Sequence, residues 1–331
     1  IEELKTFLET NPKELEGLVK LGHAYVQKGR YEEAMAVLEH AVAINKNYAP
    51  AYFFAGLAEY GRQRRKADDV ERRIKAGETV RDADKPDFEK AIIAFTSARD
   101  RDPENLQYRE MLARSLTESG KKRDLLAALE QYDTVIAGYR KAAMATGPKR
   151  PPSAEVYYSR GILASKLGRP REEVLKNFQD ALLLDSERAD YIARYGEELY
   201  RLQTRQQLDD KYVLEAKAYF TLVIDQFSKT HVRSNYYLGK IALLEWSRIP
   251  SRTPSDPLHK LALEHFQTVV AAGGDSEFPD VLFQIANIFR ESEAYRLANQ
   301  YYDKYLAQYR KVTGRPAPNE RYVRELMRSS P

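Results

Sequence analysis

At 331 residues, with 43% hydrophobic and 31% charged side chains, the chain has the composition of a folded globular protein and the length for one large core or two. Fifty-three basic against 49 acidic side chains leave a formal net charge of +4, too balanced to argue for a nucleic-acid partner. There is no cysteine, which excludes disulfides, thiolate chemistry and cysteine-ligated metals, and no apolar run approaches the roughly 18 residues that a membrane helix needs.

The first element, residues 1–12, carries Leu4, Phe7 and Leu8 and ends on Asn11-Pro12. It opens inside a pattern, at Ile1 rather than Met, and reads as the second helix of a repeat whose first helix is missing. The chain is therefore expected to be a trimmed or processed piece of a longer protein. Residues 15–48 hold the clearest pattern. Leu18, Leu21, Gly22 and Tyr25 fall on one helical face, Gly29 and Tyr31 mark a turn, and Ala34, Leu38 and Ala41 recur on the next helix at three- and four-residue spacings.

The pattern returns along the chain. Aligned on Gly22, the later copies sit at Gly56, Ala113, Gly161, Gly196, Gly239 and Ala286, at intervals of 34, 57, 48, 35, 43 and 47 residues. A residue this small is needed where two helices cross closely. The second unit, 49–105, has Tyr52, Ala55 and Gly56, then Ala91, Phe95 and Ala98, with an inserted segment at 62–86. The third, degenerate, spans 106–152. It uses Leu112, Ala113 and Leu116, then Ala128, Tyr132 and Val135, and closes on a breaker cluster, Gly147-Pro148 and Pro151-Pro152. The fourth spans 154–188 (Tyr157, Gly161, Ala164, Phe178, Ala181) and the fifth 189–231 (Ile192, Tyr195, Gly196, Ala216, Phe220). The sixth, 232–277, has Leu238, Gly239 and Phe266 around a Pro-rich insertion from Ile249 to Pro257. The seventh, 279–312, has Leu282, Ala286, Ala298 and Tyr302. A last helix within 319–331 is expected to cap the stack.

Leu18, Leu21-Gly22, Tyr25, Ala34 and Leu38 match the signature W-x2-L-G-x2-Y…A-x3-F of a 34-residue helix–turn–helix unit, with Leu18 at the Trp place. The chain resembles the tetratricopeptide repeat family over nearly its whole length. The resemblance implies an all-α fold: an α-solenoid, a right-handed superhelix of about seven helix–turn–helix units with inserted longer helices and loops. It also implies an inner groove lined by the first, or A, helix of each unit. By register the groove-facing residues are Val19 and His23 in the first unit and Phe53, Leu57 and Tyr60 in the second. Arg114 follows in the third, Tyr158 and Ile162 in the fourth, Tyr200 in the fifth, and Tyr236 and Lys240 in the sixth. Phe53, Leu57 and Tyr60 would make an apolar patch, covered either by a partner peptide or helix or by the chain's own insertions. Some relatives grip a C-terminal carboxylate with Lys and Asn on one A helix. The matching places here are Val19 and His23, then Phe53 and Leu57, so that clamp is absent from the first two units.

Residues that suggest chemistry have plainer readings. Arg62 to Pro86 interleaves both signs at helical spacing, which favours a solvated, ion-paired helix over a docking arm for an acidic partner. Asp82, Asp84 and Asp87 lack the glycine and glutamate of a calcium loop. The five histidines, His23, His40, His231, His259 and His265, form no metal motif and are expected to be exposed or at interfaces. Gly120-Lys121 is a turn, not a phosphate loop. Trp246 is expected to pack on the Pro-rich insertion.

The reading is therefore a non-catalytic scaffold or adaptor with no cofactor and no metal. It would bind a protein or peptide in the groove, with self-association open, and would serve assembly of a larger complex. For the family this often means secretion, envelope or motility machinery, and the cysteine-free composition agrees with a bacterial periplasm or envelope. The alternative is a regulatory or targeting domain of a larger protein whose enzymatic part lies elsewhere.

Overall fold

The computed structural model describes residues 1–76, 78, 80–144, 153–203 and 210–329. Over these residues the chain forms sixteen α-helices, two 3-10 turns and no strand. It divides into two compact units, residues 1–184 and 185–331.

The first unit opens on α1 (Glu2–Thr10), followed by the hairpins α2 (Leu15–Gln27) with α3 (Tyr31–Ile44) and α4 (Ala49–Lys75) with α5 (Glu89–Arg101). The hairpins α6 (Leu106–Ser119) with α7 (Lys122–Met144) and α8 (Ala154–Lys166) with α9 (Arg171–Leu184) complete it. The second unit holds α10 (Ala189–Gln203) with α11 (Asp210–Gln226), α12 (Val232–Ser247) with α13 (Pro257–Ala271), and α14 (Val281–Glu291) with α15 (Tyr295–Thr313). The closing helix is α16 (Glu320–Arg328). The breaker cluster at 147–152 lies outside the described residues.

Local chemistry sets the helix ends. Asn105 caps α6 by accepting from the Gln107 N–H at 3.2 Å, and Nδ1 of His231 accepts from Ser234 N at the same distance to cap α12. Pro50 and Pro257 sit in the first turns of α4 and α13, where no intrahelical donor is lost. Gly120 ends α6 with φ of 68°, a left-handed conformation that costs glycine little.

Five of the seven hairpins close on one repeated contact, the small residue of the first helix against the large residue of the second: Gly22 on Leu38, Gly56 on Phe95, Gly161 on Phe178, Gly196 on Phe220 and Gly239 on Phe266. Phe95, Phe178, Phe220 and Phe266 are fully buried. Burial of one such ring is worth about 1.5–3 kcal/mol. No hairpin encloses both its faces. Within each unit the second helix of a hairpin leans on the first helix of the next, as α3 does on α4 and α11 on α12. The A helices α2 and α4, α6 and α8, and α10 and α12 also touch, which puts the A side innermost within each unit. At the chain end α16 packs on α15. It buries Val323 completely, and Asn319 accepts from the Tyr305 hydroxyl at 2.7 Å.

The segment at 62–86 lengthens the second hairpin: α4 continues unbroken to Lys75 as a longer, charged helix. The chain then returns along it: Gln63 accepts from Asp87 N at 2.9 Å, and the Lys66 ammonium donates to Ala83 O at 3.1 Å. Its charges satisfy one another in Arg62–Glu59, Arg72–Asp69, Arg73–Glu78 and Lys85–Asp82 pairs of 2.7–3.1 Å. Of the histidines, expected to be exposed or at interfaces, His259 is only 1% exposed, because the Trp246 ring lies tilted against it, 4.5 Å between centroids, and Glu291 and Pro254 O face its two nitrogens.

Candidate partner-binding groove

The inner side of the first unit is built by α2, α4, α6 and α8, and the groove-register residues meet different fates there. Val19 and Phe53 are 6% and 4% exposed. Val19 belongs to the core under α2. The Phe53 ring is enclosed by Tyr108, Phe54 and Phe95, with centroids 4.7, 5.3 and 5.8 Å away. His23 is half-buried, its ring 4.6 Å from Phe54 and its Nε2 3.2 Å from the Gln27 amide. Leu57 is half-buried, and Tyr158 packs edge-on against Phe178. The apolar patch expected at 53–60 is thus largely spent on packing between α4, α5 and α6.

Tyr60, Arg114 and Ile162, one from each of α4, α6 and α8, come together at a cavity of about 140 Å³. Its other walls are Thr117, Glu118, Tyr132, Glu155 and Ser159. The spacing explains the convergence: Arg114, Thr117 and Glu118 share one face of α6, as Glu155, Ser159 and Ile162 share one face of α8. Tyr60 packs on Phe88, 5.6 Å between centroids, so the returning segment after α4 fixes one wall. The Arg114 guanidinium donates to Glu110 at 3.1 Å. Arg64 reaches from α4 to Glu118 at 2.9 Å.

Electrostatics follow from partial burial. Burial pushes the Glu110 carboxyl above the usual carboxylate range, opposed by Arg114 and reinforced by Glu155. Burial raises the Tyr60 phenol, with Glu118 adding to it, and lifts Tyr132 to about 12. Both phenols stay protonated near neutrality, so they offer hydrogen bonds and ring faces rather than a nucleophile. Register found three of the cavity's residues. It missed Glu118 and Glu155, whose signal was the i, i+4 spacing Arg114–Glu118 and Glu155–Ser159.

A second cavity, about 240 Å³, lies among α7, α8 and α9. Its cations are matched by carboxylates in its own lining. Arg160 bridges Asp133 at 2.6 Å and Glu173 at 2.9 Å, Lys176 meets Asp180 at 2.7 Å, and Arg140 lies 3.7 Å from Asp180.

In the second unit, Tyr200 and Tyr236 are 8% and 4% exposed. Tyr236 stacks on Phe278 at 4.2 Å and bonds Asp280 through its hydroxyl, while Tyr200 lies edge-on to Tyr237 at 5.3 Å. The Lys240 ammonium sits over both rings, 5.7 Å from Tyr200 and 5.3 Å from Tyr236. Glu197, three residues before Tyr200 on α10, is 1% exposed beneath Arg194, Arg201, Arg233 and Tyr237. Among the described residues no helix is long and apolar enough to cross a membrane, and no three acidic or histidine side chains gather as metal ligands would.

Comparison with known proteins agrees with this geometry. The family model described as TPR repeat matches residues 22–61, the stretch from Gly22 to the middle of α4. Comparison with curated proteins gives no match. Among solved structures, the Cut9–Hcn1 hetero-tetramer of APC/C aligns at 14% identity and a TM-score of 0.55, covering 99% of this chain and 51% of that one. The C-terminal part of a TPR repeat-containing protein from Cytophaga hutchinsonii aligns at 11% identity and a TM-score of 0.54, covering 93% of this chain and 99% of that one. Identities this low speak for the fold alone. The repeat match over residues 22–61 and the stacked helical hairpins give this chain an all-helical fold similar to that of tetratricopeptide repeat proteins.

Proposed function

We propose that this chain is a non-catalytic binding scaffold. It holds a peptide or helix of another protein along the inner side of the first unit, as an adaptor within a larger assembly. The carrying observation is the cavity where Tyr60, Arg114 and Ile162 converge from three successive A helices. It combines ring faces, hydroxyls and both signs of charge in a depression sized for one side chain, as an anchor pocket does. Its phenols, raised by burial, favour gripping over reacting.

The test is site-directed photo-crosslinking in the source cells. A crosslinking amino acid at Ile162 or Thr117 should trap a protein partner. One at Leu126, which is 53% exposed on α7, should not. Tyr60→Ala combined with Ile162→Ala should weaken capture about tenfold, equivalent to about 1.4 kcal/mol. Crosslinks confined to Leu126 would move the binding face to the outer helices. Phe53 is unsuited to this test, because its truncation opens a core cavity.

A further inference from the structure

We propose that His259 is a pH-sensitive strap. As an imidazolium it ties the Pro-rich loop between α12 and α13 to the end of α14, and loss of one ring proton unties one of those two bonds.

The ring is 1% exposed in the first turn of α13, and each of its nitrogens faces an oxygen. Nδ1 lies 3.1 Å from Pro254 O, and Nε2 lies 2.8 Å from Glu291 Oε2. A backbone carbonyl and a carboxylate are acceptors with no proton to give. A neutral imidazole carries a single N–H, so either tautomer sets a lone pair against an oxygen at hydrogen-bond distance. The doubly protonated ring satisfies both. The neighbouring histidines make no such demand: His231 caps α12 with an acceptor nitrogen, and His265 bonds Asn235 through Nδ1 at 2.8 Å.

The groups packed around the ring favour its charged form. From α14 comes the Glu291 carboxylate. From α12 comes the Trp246 indole, 4.5 Å between centroids, and an aromatic face within about 6 Å attracts a cation. Asp256, the loop's carboxylate, accepts from that indole at 3.2 Å, and Arg252, the loop's cation, lies over the indole at 5.6 Å. Glu245, near the end of α12, is taken by Lys217 of α11 at 2.8 Å. Pro254 belongs to the loop and Glu291 to the next hairpin, so His259 is the side chain that bonds both. Without its second proton it must release one of them.

The test uses the full chain and its single tryptophan. Acrylamide quenching of Trp246 is followed from about pH 5 to about pH 8, the span in which histidines change charge. Nitrogen-15 spectra of the imidazole protons are recorded over the same span, with His259 assigned by His259→Gln. At the acid end His259 should show both ring N–H signals. Raising the pH should remove one of them, and the quenching constant should rise in the same step. His259→Gln should abolish the step. Glu291→Gln leaves the buried ring in place and should move the step to a pH about 1 lower, since the carboxylate that holds the second proton is gone. A single ring N–H signal at every pH, a quenching step that survives His259→Gln, or a step unmoved by Glu291→Gln overturns the proposal. If His259→Gln does not fold, the ring signals and Glu291→Gln decide it.

Discussion

Gly239 lies so close to the Phe266 ring that a Cβ built on it would stand 2.6 Å from Cε1. Real contacts of that kind are not seen, so either the α12–α13 hairpin widens or the ring leaves its slot. Gly239→Ala gains about 1 kcal/mol of helix propensity and loses about 1–3 kcal/mol to overpacking. The expected outcome is a net loss near 1 kcal/mol, read as a lower urea midpoint by circular dichroism. A variant more stable than the parent would show that the hairpin yields without strain.

Glu197 argues from charge rather than volume. It is 1% exposed and accepts from Arg194 at 2.7 Å, Arg201 at 2.6 Å and the Tyr237 hydroxyl at 2.9 Å, as well as from Arg233. Removing its charge leaves guanidinium groups gathered around a neutral centre. Glu197→Gln is expected to cost about 3 kcal/mol, the range for breaking a buried pair from one side. The solvent-facing pair Arg72–Asp69 is the control: Asp69→Asn should shift stability by no more than about 0.5 kcal/mol. Equal effects at the two sites would deny the Glu197 cluster any special weight.

Tyr132 gives a pH dependence. Burial lifts its phenol to about 12 in the folded chain, against about 10 when unfolded. Below pH 10 both states keep the proton and the group is silent. Between about pH 10 and 12 the unfolded chain releases it while the folded chain retains it, so stability falls as pH rises. By pH 11 the loss from this one group should be about 1 kcal/mol. Tyr132→Phe should therefore lose about that much less stability than the parent between pH 9 and 11, measured by urea unfolding at each pH. Parallel losses in both proteins would mean that the phenol reaches solvent.

These cases also show what was legible in the sequence. The hairpins were, because each joins a small residue to a large one at fixed spacing: Gly22 to Leu38 and Gly161 to Phe178 are complementary shapes. The 3.6-residue period also put the packing residues Leu18, Leu21 and Tyr25 on one face of α2. What crosses over a given face was not legible. Phe53 has groove register, yet Tyr108, 55 residues later, closes over it, just as Arg233 closes over Glu197 from 36 residues further along the chain. Glu118 carried only its i, i+4 spacing from Arg114, which puts it on that face of α6 but not at the pocket rim, since that depends on how α4 passes α6. For α4 the interleaved signs marked a solvated helix over 62–86, but not that it runs on from the A helix without a break.

The single tryptophan reports on the Pro-rich loop before α13. Trp246 Nε1 donates to Thr253 O at 3.0 Å and Asp256 Oδ2 at 3.2 Å, and the same carboxylate oxygen accepts from Thr253 N at 2.7 Å. Asp256 thus ties the loop to the indole, while the His259 ring covers it at 4.5 Å. Asp256→Ala removes these side-chain bonds, and that from the Thr253 hydroxyl at 3.3 Å, but leaves the ring contact. The expected cost is about 1–2 kcal/mol, with a red-shifted emission and stronger acrylamide quenching as the loop lifts from the indole. His259→Ala should act differently. It uncovers the ring and also strips Pro254 O and Glu291 of their partner, so quenching should rise further than in the Asp256 variant. Unchanged quenching in both variants would mean that Trp246 is shielded by the helices alone, with the loop contributing nothing to its burial.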